Sequence, residues 1–294
     1  MPNNRFAAQA AGLLLCFAVF MMGAGAAHAA VSCPRPLASG IPKRVAHAPA
    51  GSAVMSQMHN LRGAERDAAV VDQVVSGNVP AFLRKLTPVE IAHTDANGEE
   101  LRVTLCVTPE YLSVGDDDDF VRVPVGLPAA ARIAVELGFL LPTPRIVDAI
   151  YEQARVRLAP RPMKPTAQME STAYLLEHDQ TLDGQRAEGG DDLTALSAGQ
   201  KKDIVLTNRL RSKPGRVAIY GWHRPNGKPI QPLSTVHGAQ YVDYSHGVRL
   251  VSRTAFVNGQ PHDLAEIMQD RELADLVSGE GVIADPNGLL ARQF

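Results

Sequence analysis

The sequence predicts an α+β fold, with a helical N-terminal part and a mixed or antiparallel sheet in the C-terminal part. Three observations carry this. Apolar residues recur at helical spacing between Val54 and Leu86. Short apolar runs bounded by turn residues dominate the C-terminal third, where Asn258-Gly259 is a hairpin signal. Helical and strand patterns do not alternate one for one, as a parallel βαβ sheet requires. With 45% hydrophobic and 20% charged residues over 294 positions, the chain is neither disordered nor collagenous nor a coiled coil. A formal charge of −2 rules out a strongly basic nucleic-acid surface as the default reading, and no nucleic-acid partner is expected.

The N-terminus carries one early charge, Arg5, then an apolar stretch from Ala10 to about Ala24, then Ala27-His28-Ala29. A positive start, a short apolar centre and a small-x-small site predict a secretory signal peptide over residues 1–29, cut after Ala29. The expected location is periplasmic or secreted, with no integral membrane segment after cleavage. Cleavage removes Cys16 and leaves Cys33 and Cys106, which an oxidising compartment would pair as a disulfide.

The mature chain opens with a Pro- and Ala-rich leader to about residue 52. Helices follow to Leu86, interrupted at Ser76-Gly77-Asn78, with Pro80 starting a short third one. Val89–His93 and Leu101–Val107 alternate around Ala96-Asn97-Gly98 and predict a hairpin. The Asp116–Asp119 run lacks calcium-loop spacing and reads as a solvated acidic turn. A short edge strand with Pro124 precedes helices over 128–138 and from Thr143 to about Leu158. Pro160, Pro162 and Pro165 mark an extended connector at 159–168, dividing an N-terminal lobe (30–158) from a mainly β C-terminal lobe (169–294). Within the latter, 187–192 reads as a polar loop and Lys201-Lys202-Asp203 as a surface strand start. Strands are predicted at 203–207, 216–220 and 248–257, and Asp263 as the cap of a terminal helical pair.

The chemistry-bearing text lies between Tyr220 and Leu250, which holds His223, His237 and His246, the single Trp222, and three of the six tyrosines. Fully extended, His237 and Asp243 would lie ~20 Å apart, so they meet only if the intervening loop folds back. Asp243 and His246 are close enough in sequence for the carboxylate to orient the imidazole. One reading makes His223, His237, Asp243 and His246 ligands of a catalytic zinc, with an open position for water. Another uses Asp243 and His246 or His237 as an acid–base pair, with Ser245 as a candidate nucleophile, Trp222 in substrate binding and Arg249 holding a carboxylate. A third is a polar loop whose Asp and His satisfy backbone groups.

His237-Gly238 followed by Ser245-His246-Gly247-Val248-Arg249-Leu250 resembles the His-Gly and Ser-His-Gly-Cys-x-Arg signature of L,D-transpeptidases, which cross-link peptidoglycan through the cysteine. Val248 stands at the nucleophile position, so that acyl-enzyme chemistry is not available here. Ser234-x-x-His237 to Asp243 resembles, with shifted spacing, the Ser-x-His to Asp pattern of D-Ala-D-Ala metallopeptidases. Tyr220-Gly221-Trp222-His223, Pro229–Leu233 and Asp243–Val251 resemble a group of exported proteobacterial proteins. That resemblance implies export and no particular activity. The combined expectation is a periplasmic hydrolase or transferase-like enzyme acting on a cell-envelope polymer such as peptidoglycan. The other expectation is a non-catalytic envelope-binding or structural protein.

Overall fold

Helices lead the chain: α1 (Gly51–Gln57) and α2 (Gly63–Val75). The hairpin β1 (Thr87–Thr94) and β2 (Glu100–Val107) follows, then β3 (Ser113–Gly115) and β4 (Phe120–Arg122). Next come α3 (Leu127–Glu136), β5 (Phe139–Leu140), α4 (Pro144–Gln153) and β6 (Val156–Arg157). Past the Pro-rich segment lie α5 (Thr172–Gly189), β7 (Ser197–Ala198), β8 (Lys202–Ile204) and α6 (Arg209–Ser212). The C-terminal part adds β9 (Ile219–His223), β10 (Pro229–Ser234), β11 (His246–Gly247), β12 (Val251–Ser252), β13 (Thr254–Val257) and β14 (Gln260–Asp263). It ends with α7 (Leu264–Gln269), α8 (Ala274–Val277) and α9 (Pro286–Ala291). The computed structural model describes Met1 and residues 32–94, 98–189 and 192–293. The predicted signal peptide beyond Met1, and Ala96 and Asn97 of the predicted turn, lie outside them.

The fold is α+β. Strand β2 is the hub of a six-stranded sheet, ordered β14-β13-β2-β12-β5, with β1 also paired to β2. The β1–β2 register is unbroken from Thr87↔Val107 to Thr94↔Glu100, as alternation around a tight hairpin dictates. Strands on both sides of residues 159–168 enter this one sheet, and 31–294 form one compact unit. Cys33 and Cys106 are joined as a disulfide, Cα–Cα 5.7 Å, which ties the start of the described chain to β2. A second, four-stranded mixed sheet lies wholly in the C-terminal part, in the order β10-β9-β8-β11. There β11 runs parallel to β8 and the other pairs are antiparallel. Among the described residues no helix is long and apolar enough to cross a membrane.

Several elements differ from the sequence expectation. The strand predicted at 248–257 breaks at Arg253 into β12, which bridges β2 and β5, and β13, which pairs with β2 and β14. The strand predicted at 216–220 is shifted to 219–223. Helix α5 runs through Gly189, where a polar loop was expected from Ala187. Its core-facing positions include His178, Asp179 and Arg186, so it shows no apolar stripe. These polar groups join a buried ion network. Arg122 meets Glu110 at 3.2 Å, Asp179 at 2.9 Å and Asp183 at 2.8 Å, and Arg186 meets Glu110 at 3.1 Å. Lys201 is buried rather than on the surface, with Nζ donating to the Tyr244 carbonyl at 2.6 Å. The Asp116–Asp119 run is a hydrogen-bonded turn: Asp116 accepts from the amides of Asp118 and Asp119, and Asp119 accepts from Ser52.

Candidate functional site

Helix α4 begins with Thr143, whose Oγ1 accepts from the Ile146 amide at 3.2 Å, and with Pro144 in the first turn. Its apolar face buries Ile146, Val147 and Ile150. Helical periodicity therefore turns Arg145, Asp148 and Glu152 outward on a common side. Asp148 faces β9 across a cleft of about 480 Å³, lined also by Tyr151, Glu152, Arg157, Tyr220 and His223. Tyr220 donates its hydroxyl to both Asp148 oxygens, at 2.9 and 3.1 Å. His223 places Nε2 2.8 Å from Asp148 Oδ1. The carboxylate side chain is 43% exposed, whereas that of His223 is 3% exposed. The acid is thus the more exposed member of the pair, held by a Tyr and a His that line the same cleft.

Tyr220 and His223 are three apart in one strand, and a regular strand would send them to opposite faces. The backbone between them resolves this. Gly221 has φ +106° and Trp222 φ +58°, a left-handed pair inside a paired strand. The φ of Gly221 favours glycine, and a Cβ there would in addition sit tightly against Val147 Cγ1, at 3.3 Å. A non-glycine residue held at positive φ is costly, and such strain concentrates at functional sites. Behind the cleft the His223 ring stacks on Tyr151 at 4.5 Å. Asp203, the cross-strand partner of Tyr220, lies buried on β8 and accepts the Tyr111 hydroxyl at 2.8 Å. Burial pushes the Asp203 carboxyl up to about 6, against the pull of Arg249 and the Tyr111 bond. His223 therefore has two carboxylates in its field, one at the cleft and one buried.

The structure divides the residues singled out from sequence. His223 belongs to the cleft with Asp148. His237, Asp243, Ser245 and His246 gather separately, because the 237–246 loop does fold back. His237 stacks on Tyr241 at 4.2 Å, and Tyr241 meets His246 edge-on at 5.9 Å. Asp243 does not bond to His246 as expected. Its Oδ1 accepts the Ser245 amide at 2.8 Å and the Ser245 hydroxyl at 2.5 Å, and its Oδ2 accepts the Tyr241 hydroxyl at 3.2 Å. Ser245 is buried, with its hydroxyl spent on that turn. His246 is 1% exposed and neither ring nitrogen has a partner. Burial, more than any charge, lowers its pKa to about 4, so the ring is neutral.

Trp222 and Arg249 also stand away from the cleft surface. Trp222 is buried, packed with Leu175 and Tyr244. Arg249 is fully buried, donates to the carbonyls of Thr108 and Ser197 at 2.8 and 2.6 Å, and lies over the Tyr111 ring. It ties the end of β2 to β7 rather than waiting for a substrate carboxylate. Val248, at the position of the transpeptidase cysteine, is core. The four proposed zinc ligands do not converge: among the described residues no group of three or more His, Cys, Asp or Glu could hold a metal ion. Sequence reasoning missed Asp148 altogether. Seventy-five residues separate it from His223, and an outward Asp on an amphipathic helix looks like any solvated residue. Comparison with models of known families, with curated proteins and with solved structures finds no match to this chain.

Proposed function

We propose that the Asp148 cleft is the active site of an exported hydrolase or transferase-like enzyme acting on a cell-envelope substrate such as peptidoglycan. The observation that carries this reading is the half-exposed Asp148 carboxylate, fixed by Tyr220 and His223 at the wall of a polar cleft. Two donors pin its orientation, which is how a general base is held in register with the proton it removes. Asp148 would take the proton from an attacking water or acceptor hydroxyl. Glu152, one turn along α4 with its Cβ ~5–6 Å from that of Asp148, lines the same cleft and in its protonated form would give the leaving group its proton. The disulfide supports an oxidising compartment, periplasmic or secreted.

The test is release of soluble fragments from purified sacculi by the mature protein and by Asp148→Asn. A loss of about two or more orders of magnitude in rate, with the fold retained, is expected of a base. Full turnover by Asp148→Asn would remove the proposal. Sacculus binding without product, lost in the same variant, would instead place the protein among non-catalytic envelope binders.

A further inference from the structure

Asp148 lines two cavities, not one. Beyond the first lies a second, of about 330 Å³, bounded by Arg145, Asp148, Leu206, Arg209, Leu233 and Glu280. Helix α4 forms one wall of both: Pro144 and Arg145 border the second, Tyr151 and Glu152 the first, and Asp148 stands between. The facing wall is also continuous in sequence, since β10 contributes Pro229 to the first and Leu233 to the second. We infer that these cavities are the two halves of one groove along α4, that the groove binds an extended carbohydrate chain of about three sugar units, and that Asp148 lies beneath its middle.

The length follows from the wall. Ten residues of α4 at 1.5 Å per residue give ~15 Å, about three pyranose units at ~5 Å each. The chemistry follows from the lining. Asp148, Glu152, Arg157 and Asn226 in the first half, and Arg145 and Arg209 in the second, are planar groups with paired donors or acceptors, suited to neighbouring hydroxyls. Arg145 and Arg209 enter no ion pair among the described residues. Arg145 uses Nε on the Leu276 carbonyl and Arg209 uses one terminal nitrogen on the Leu233 carbonyl. Pro225, Pro229 and Leu233 supply apolar faces between these polar groups.

An extended peptide is disfavoured by the same wall. Strand β10 is the edge of its sheet, where a peptide would add as a further strand. Pro229 and Pro232 remove two of its amide donors, and its register shifts between Gln231 and Ser234. A chain in this groove is therefore gripped by side chains rather than by a backbone ladder.

This inference rests on reading the Asp148 cleft as the site, but its readout is binding, not turnover. Trp222 is buried away from the groove, so binding is read by isothermal titration calorimetry. The mature protein is titrated with N-acetylglucosamine oligomers of one to six units, and with a peptidoglycan stem tetrapeptide as the competing class. Affinity should rise at least tenfold from the dimer to the tetramer and then level off. Arg145→Ala and Arg209→Ala should each weaken the tetramer several-fold more than the dimer. No binding at millimolar oligosaccharide, affinity independent of length, or tight binding of the tetrapeptide instead would each overturn the inference. Length-dependent binding alongside an Asp148→Asn variant that still releases fragments would keep the groove and remove the catalytic reading. Asp148-dependent fragment release without oligosaccharide binding would do the reverse.

Discussion

His223 Nε2 lies 2.8 Å from Asp148 Oδ1, and the Tyr220 hydroxyl meets the same carboxylate at 2.9 Å. Asp148 accepts both bonds, so His223 is the tautomer protonated on Nε2. Nitrogen-15 chemical shifts of the imidazole should report that tautomer in the wild type. In Asp148→Ala the 97%-buried ring side loses its acceptor, and the preference should disappear. Because the carboxylate itself is 43% exposed, water replaces part of what is lost. The variant should lose only about 1–2 kcal/mol of stability. An Nδ1-protonated ring in the wild type would remove the geometry on which the base assignment stands.

Asp243 and His246 should behave oppositely to an orienting dyad. Asp243 closes a turn by accepting from Ser245 and Tyr241, all of them at least half-buried or nearly so. Asp243→Asn keeps one acceptor oxygen and loses the other, and should destabilise the fold by roughly 1–2 kcal/mol, a few degrees of melting temperature for a chain of this size. Ser245→Ala should show a smaller loss of the same kind. Neither change should alter the environment of His223, which lies in the Asp148 cleft, apart from this loop. A melting temperature unmoved by Asp243→Asn, with turnover abolished, would return the chemistry to this loop.

How much of this was legible depends on what each residue does. The β1–β2 pairing follows from alternation, and the Asp263 cap from an acid before an apolar run: its carboxylate does accept the Ala265 amide, at 2.7 Å. The 220–250 text holds half of the cleft, in Tyr220 and His223. The other half is Asp148, brought in by tertiary packing of α4 on β9, which no local spacing encodes. The left-handed Gly221-Trp222 step was equally hidden, since Trp is among the residues least expected at positive φ. Helix α5 escaped notice because its inward positions include His178, Asp179 and Arg186, matched to Lys201, Arg122 and Glu110 elsewhere in the chain. Hydrophobic periodicity cannot report a core face made of ion pairs.

The Cys33–Cys106 disulfide should keep both of these cysteines unreactive to thiol reagents until the protein is denatured and reduced. It closes a loop with a sequence separation of 73, for which chain entropy gives about 4 kcal/mol of stabilisation. Cys33→Ser with Cys106→Ser should therefore lower the melting temperature by roughly 10 °C. Cys106 is fully buried on β2, so the single variant Cys33→Ser should expose its thiol only on unfolding. Labelling of both cysteines in the unreduced, denatured protein would exclude the bond.

Acid response offers the most specific check on His246. Burial holds its pKa at about 4 in the folded chain, below the ordinary value of ~6.5 that the unfolded chain regains. Between those two values the unfolded state binds a proton that the folded state refuses. His246 therefore weakens the fold progressively as pH falls from about 6.5 to about 4, by on the order of 3 kcal/mol, and adds no pH dependence above that window. Asp67 and Asp203, which burial pushes up to about 6, act in the opposite direction between about 4 and 6, so the wild-type curve alone is ambiguous. The difference between wild type and His246→Leu isolates the imidazole. At pH 7 the leucine variant should be as stable or more so, because two unpartnered buried nitrogens are replaced by carbon. Its advantage should widen steadily down to pH 4. A difference that stays flat across this range, or a leucine variant that is several degrees less stable at pH 7, would mean that His246 has a polar partner in the folded protein.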